Sequence, residues 1–179
     1  TPVKEIPEAV CCPSSAAVMP FSGKLSNIPV KQYLDDIFCD NVLRRTLGIA
    51  ALNALSNLIW EKYDAENKPI MSRDAFDEID VNKYDKTVVV GSLIPMLKKL
   101  IANNRDFTIL EQDPNTLKKH ELQYYAPSED AHKYVPDADL LVITGVTVLN
   151  DTLSDLLEMA RDDAEILVTG PTASMIPDV

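Results

Sequence analysis

The stretch Thr87–Leu100, TVVVGSLIPMLKKL, decides how this chain is read. Four residues of high β propensity end on one glycine, and an apolar-periodic helix follows. That is a strand–turn–helix junction. Reading outward, the unit repeats. A strand is expected at Thr87–Val90, a helix at Leu93–Asn103 and a strand at Phe107–Leu110. A helical or irregular stretch runs from Pro114 to about Tyr134. A strand follows at Leu140–Ile143, a helix at Asp151–Arg161 and a last strand at Glu165–Thr169. The apolar cores VVV, LLVI and ILV read as strands buried on both faces, as in a parallel sheet covered by helices. The expected fold class is α/β, a Rossmann-like three-layer domain over residues 86–179. The chain stops ten residues after Thr169 without a closing helix, so this domain is read as truncated at its C-terminal end.

Residues 1–85 follow a different grammar. Short strands are expected at Glu8–Cys12 and Ala16–Met19, then helices at Val30–Phe38 and Asn41–Tyr63, and a short helix capped by Ser72. In the long helix, Val42, Leu43, Leu47, Ala50, Ala51, Ala54, Leu55 and Leu58 recur at helical steps and read as a face packed on a sheet. Strands followed by helices make an α+β unit, incomplete at its start.

Open α/β sheets bind ligands outside the carboxyl ends of their strands. There the first strand delivers Gly91 and Ser92, the second Glu111, the third Thr144 and Gly145, and the fourth Gly170, Pro171 and Thr172. Thr147, Asn150 and Thr152 add polar groups to the same edge. Pro95 fits the first helical turn, and Ser92 is a candidate cap, leaving a helix N-terminus open to an anion. Asn150 or Asp151 is a candidate cap for the next helix. Glu111 follows Gly91 by 20 residues, the spacing of a ribose-binding acid. Yet the turn reads G-S-L-I-P-M, not G-x-G-x-x-G, and Leu93 and Ile94 stand where a pyrophosphate needs bare backbone. NAD or NADP is therefore disfavoured, while S-adenosylmethionine tolerates a looser loop. Glu111 and Asp113 are also candidate acids, bases or hard-metal ligands.

The composition excludes several classes. Net charge is −11, and nine carboxylates face one base, Arg161, from Asp137 onward. A phosphate-tracking surface needs clustered Lys and Arg, so nucleic acid is not an expected partner. No apolar run reaches the roughly 18 residues of a membrane span, and no signal peptide is recognisable. Three cysteines, Cys11, Cys12 and Cys39, form an odd set with adjacent members. Reduced thiols and a cytoplasmic setting follow. The two histidines, His120 and His132, make no zinc motif with them.

Four segments resemble a known family. They are LGIAALNAL (Leu47–Leu55), TVVVGSLIP (Thr87–Pro95), DADLLVITGVTVLNDTLSDLL (Asp137–Leu157) and VTGPTASMIPDV (Val168–Val179). The last two carry a strand ending in I-T-G, a T-x-x-N-x-T turn (Thr147, Asn150, Thr152) and G-P-T-x-x-x-P (Gly170, Pro171, Thr172, Pro177). The chain resembles the heavy-metal chelation family, a domain family of unknown function in bacteria and archaea. The resemblance implies an enolase-N-terminal-like domain before a Rossmann-like one, with a ligand cleft between them. It also implies a divalent or heavy metal ion or a metal chelate as ligand, for which Glu111, from its place at the sheet edge, is the candidate metal residue. The reading is a small-molecule or metal-chelate binding protein. The alternative is an enzyme, a transferase or lyase using a nucleotide-like cofactor such as S-adenosylmethionine. Two small subdomains with apolar surface to cover predict a homo-oligomer.

Overall fold

The segment Thr87–Val90 is β1, the middle strand of a five-stranded sheet in the order β3-β2-β1-β4-β5. The others are β2 (Phe107–Glu111), β3 (Tyr125–Pro127), β4 (Leu140–Thr144) and β5 (Glu165–Thr169). Every pair is parallel, with Val89 beside both Ile109 and Val142. This computed structural model describes residues 24–62 and 75–176. The strands expected at Glu8–Cys12 and Ala16–Met19 and the Ser72 cap lie outside the described residues, as do Cys11, Cys12 and Pro177.

Alternation along the strands splits the core into two layers. On one face Val89, Ile109, Leu140 and Val142 pack with Met96, Leu97 and Leu100 of the helix Ile94–Ala102. On the other, Val88, Leu110, Leu141 and Ile143 pack with Val135, Ala138 and Leu156, the last from the helix Leu153–Met159. The fold is α/β, with apolar side chains on both faces of β1 and β4, as their unbroken hydrophobic runs require. Among the described residues, no helix is long and apolar enough to cross a membrane.

The chain divides into two compact units. Residues 75–147 and 152–169 make the sheet-bearing unit, and residues 24–62, 148–151 and 170–176 belong to the other. In that other unit α1 (Val30–Leu34) and α2 (Val42–Lys62) pack together. The helix expected to reach Phe38 ends at Leu34, because the chain tightens into i→i+3 turns from Tyr33 to Ile37. Those turns bring Asp36, 5% exposed, onto Arg44, whose Nε donates to its carboxylate at 2.9 Å. The apolar stripe expected to bury α2 is not its buried side: Leu58 is exposed, and Arg45, Gly48, Ile49 and Ser56 are buried. Among the described residues, that side bonds Leu149, Thr172 and Ile176 through Arg45, Asn53 and Ser56.

Four further expectations are corrected. The stretch Pro114–Tyr134 holds a strand, β3, which pairs only with β2 and ends on Pro127, a residue suited to a sheet edge. A short helix, Val146–Leu149, precedes the one expected at Asp151–Arg161, despite its β-branched residues. That later helix covers only Leu153–Met159, and its N-cap is Thr152, not Asn150 or Asp151. Asp151 sits at φ 63°, in the turn before the helix. Ser92 does not cap the helix after β1; Leu93 holds that position without a side-chain bond.

The amino ends of the strands are tied by polar side chains. Asp139, just before β4, accepts the backbone N–H groups of Lys86 at 3.0 Å and Asp85 at 3.1 Å. Arg161 Nη1 donates to its other oxygen at 2.6 Å. The Tyr84 hydroxyl donates to Glu165 at 2.5 Å, and that carboxylate pushes the phenol up to about 12. The Lys86 N–H, then that of Asp85 and the Arg161 guanidinium, hold the Asp139 carboxyl below its ordinary value. A folded pKa below the unfolded one of about 3.9 stabilises the fold at higher pH. That contribution is lost as pH falls through the folded value. Asp139→Asn is therefore expected to flatten part of the acid limb of a plot of Tm against pH. An unchanged acid limb would show that Asp139 is not a linked group.

Candidate functional site at the carboxyl edge of the sheet

From β1 the chain crosses to β2 on one side, while β4 lies on the other, so the crossovers part between the carboxyl ends of β1 and β4. Such a point is where open α/β sheets leave room for a ligand. Gly91 and Thr144 meet there. Gly91 has φ +92°, and a Cβ built on it would lie 2.9 Å from Thr144 Cγ2. The glycine thus lets the two strand ends approach where any side chain would collide. Gly91 N–H extends the β1–β2 ladder to Leu110 O at 2.9 Å, and Gly145 N–H bonds Thr169 O at 2.6 Å.

The turn after Gly91 is closed by Glu111, the last residue of β2. Its Oε2 accepts Ser92 N–H at 3.1 Å, and its Oε1 accepts the N–H groups of Gln112 at 2.8 Å and Asp113 at 3.3 Å. The carboxylate is turned back into its own loops. The Leu93 and Ile94 N–H groups bond Gly91 O and Ser92 O, and Pro95 has none. With the Ser92, Leu93 and Ile94 donors engaged and Pro95 lacking one, this helix start has few N–H groups left for an anion. A pyrophosphate would have to displace Glu111 from Ser92 N–H. We expect Glu111→Gln to cost about 2 kcal/mol in denaturant unfolding, because an amide nitrogen must then face a backbone donor. A loss below about 0.5 kcal/mol would mean that these bonds do not hold the turn.

The remaining candidates divide between the two units. In the sheet-bearing unit Ser92 and Thr144 are half-buried, and the Thr144 hydroxyl stands 3.5 Å from Val146 N–H. Thr147 is buried and its hydroxyl donates to Thr144 O at 2.8 Å, so it serves the turn. Thr152 N–H closes the same segment onto Thr147 O at 3.0 Å. Pro95 is exposed in the first helical turn. Asp113 caps a short 3-10 turn by accepting from Asn115 N–H at 2.9 Å.

In the other unit, Gly170, Pro171 and Thr172 lie against α2, and three residues missed in the sequence hold the neighbouring loops. Asn53 Nδ2 donates to Thr172 O at 3.0 Å and to Pro171 O at 3.3 Å. Ser56 Oγ accepts Ile176 N–H at 3.1 Å, and Arg45 Nη1 donates to Leu149 O at 3.0 Å, beside Asn150. Their signal was present: Arg45, Ile49, Asn53 and Ser56 fall on one helical face at steps of four, four and three.

Among the described residues, no group of three or more His, Cys, Asp or Glu could hold a metal ion. Glu111 alone, with both oxygens engaged by backbone, does not fit a protein-built metal centre.

Comparison with known proteins agrees with this architecture. Residues 74–179 match the DUF364 family model, described as "Putative heavy-metal chelation". Residues 4–56 match DUF4213, which carries the same description. An uncharacterized protein of Methanocaldococcus jannaschii is 33% identical over 144 residues, covering 78% of this chain and 51% of its own. The chain thus spans about half the length of that curated relative. Two crystal structures of unknown function share the fold. One, from Pyrococcus horikoshii, has a TM-score of 0.69 at 21% identity, over 87% of this chain and 60% of that one. The other, from Desulfitobacterium hafniense DCB-2, has a TM-score of 0.68 at 27% identity, over 88% and 60%. By the extent of its family match and by these relatives, the chain belongs to the DUF364 family.

Proposed function

We propose that the chain binds a small oxygen-rich metal chelate at the carboxyl edge of its parallel sheet, with the metal carried by its chelator. The observation that carries this reading is the Gly91–Thr144 approach, a close-packed strand junction beside half-buried hydroxyls. Ser92, Thr144 and the backbone around Gly91 and Gly145 would supply hydrogen bonds to the chelator's oxygens. Glu111 is assigned to holding the turn rather than to direct ligation. The family description supports metal handling, and the absence of a three-ligand group among the described residues favours a preformed complex over a bare ion. The enzyme reading, with S-adenosylmethionine, gains less support, because Glu111 is engaged away from any ribose.

Native mass spectrometry with elemental analysis, on protein purified without chelators, tests the proposal. The expected result is a bound mass containing both an organic component and a metal. Thr144→Val, which keeps shape and removes the hydroxyl, should lower its occupancy at least tenfold with little change in Tm. A bound organic mass without metal would favour the cofactor-using enzyme instead. Occupancy untouched by Thr144→Val would move the site elsewhere.

A further inference from the structure

One buried carboxylate stands apart from the Gly91 turn, the apolar core and the amino-edge network. Glu121 lies in the crossover between β2 and β3 and is 1% exposed. Its Oε2 accepts Lys118 N–H at 2.7 Å, which closes a short turn. Its Oε1 is buried, and no protein group hydrogen-bonds it. His120 Nε2 stands 3.9 Å from that oxygen, on a side chain that is 60% exposed. A buried carboxylate oxygen without a donor is costly, so a neutralising partner is expected at this spot.

The separation indicates which partner fits. At 3.9 Å the pair is too far apart for a direct hydrogen bond. Metal–oxygen and metal–nitrogen bonds are each about 2.0–2.2 Å. One ion can therefore touch both atoms, at an N–metal–O angle of about 140° by those lengths. A small swing of the exposed imidazole would bring that angle toward tetrahedral. Imidazole with carboxylate suits first-row transition ions, whereas Mg2+ and Ca2+ prefer all-oxygen shells.

We infer that Glu121 Oε1 and His120 Nε2 form a two-point site for a first-row divalent transition-metal ion, with water completing its shell. Two protein ligands make such a site exchangeable rather than permanent. Lys118 and Lys119, both exposed beside it, weaken it further by repulsion. This site is built from other residues than those of the sheet edge and stands or falls independently of that reading.

The test is titration of the full chain with Co2+, followed by visible spectroscopy and calorimetry. Thiolate ligation by the cysteines would add a near-ultraviolet charge-transfer band, so the two kinds of site separate. The expected result is one ion bound without that band. His120→Ala should weaken this binding at least tenfold while leaving the metal-free Tm unchanged, because the ring is exposed. Glu121→Gln gives a second arm if it remains folded, and should likewise lose the ion. Wild-type affinity in His120→Ala, an ion held only by thiolates, or no binding at millimolar Co2+ would each overturn the inference.

Discussion

Replacing Gly91 with alanine is expected to destabilise the sheet-bearing unit by about 2–4 kcal/mol, combining backbone strain with a steric clash. Two separable causes contribute. At φ +92° an L side chain is strained. In addition, the new Cβ would lie 2.9 Å from Thr144 Cγ2 and 3.1 Å from Thr144 Cβ. Thr144→Ser removes the first of these contacts and keeps the hydroxyl. The double variant Gly91→Ala with Thr144→Ser should recover part of the loss, about 1 kcal/mol, as coupling between neighbours. Urea unfolding of the four proteins gives the comparison. Gly91→Ala within about 0.5 kcal/mol of wild type would mean that the turn relaxes freely and that the junction is not rigid. Full loss in the double variant would assign the effect to φ and to the remaining contact with the residue-144 Cβ, not to the methyl group.

The second large effect belongs to the other unit. Gly48 is buried in α2, where a Cβ would meet Tyr33 O at 2.6 Å and Ile37 N at 3.1 Å. Alanine favours a helix by about 1 kcal/mol over glycine, so propensity alone predicts stabilisation. The obstacle here is backbone, a carbonyl at the end of α1 that cannot rotate away as a side chain can. We expect Gly48→Ala to lower stability by about 2–3 kcal/mol net, the clash outweighing the propensity. Two compact units need not unfold together, so the loss should appear in the transition assigned to residues 24–62. A raised Tm would show that α1 yields and that the helices are not locked by this glycine.

The sheet was legible because its signal is local. Burial on both faces demands unbroken runs such as VVV and LLVI, and no other element needs them. Thr87–Val90 and Glu165–Thr169 were found with their observed bounds. The short edge strand β3 escaped because three residues carry no period, and Tyr125 fits a turn as well as a strand. The short helix Val146–Leu149 escaped for the opposite reason, since β-branched residues argue against a helix, and bonds such as Thr147 Oγ1 to Thr144 O and Arg45 Nη1 to Leu149 O are invisible in its own sequence.

The position of Glu111 was legible, but the direction of its side chain was not. Spacing from Gly91 fixes where the acid stands at the sheet edge, whereas the choice between facing outward and bonding Ser92, Gln112 and Asp113 depends on loop shape. The polar face of α2 was missed because the apolar residues around it satisfy a helical period equally well. The partners of Arg45, Asn53 and Ser56, each more than a hundred positions away, show which face is inside.

The self-closed turn after β1 has a consequence for life among abundant metabolites. Nucleotides and free phosphate are competitors for any loop that offers bare amide donors. Here the Ser92 N–H is already occupied by a tethered carboxylate that never diffuses away. On the proposed reading of this edge as a ligand site, such a built-in occupant would compete with phosphate, and selectivity would begin with exclusion.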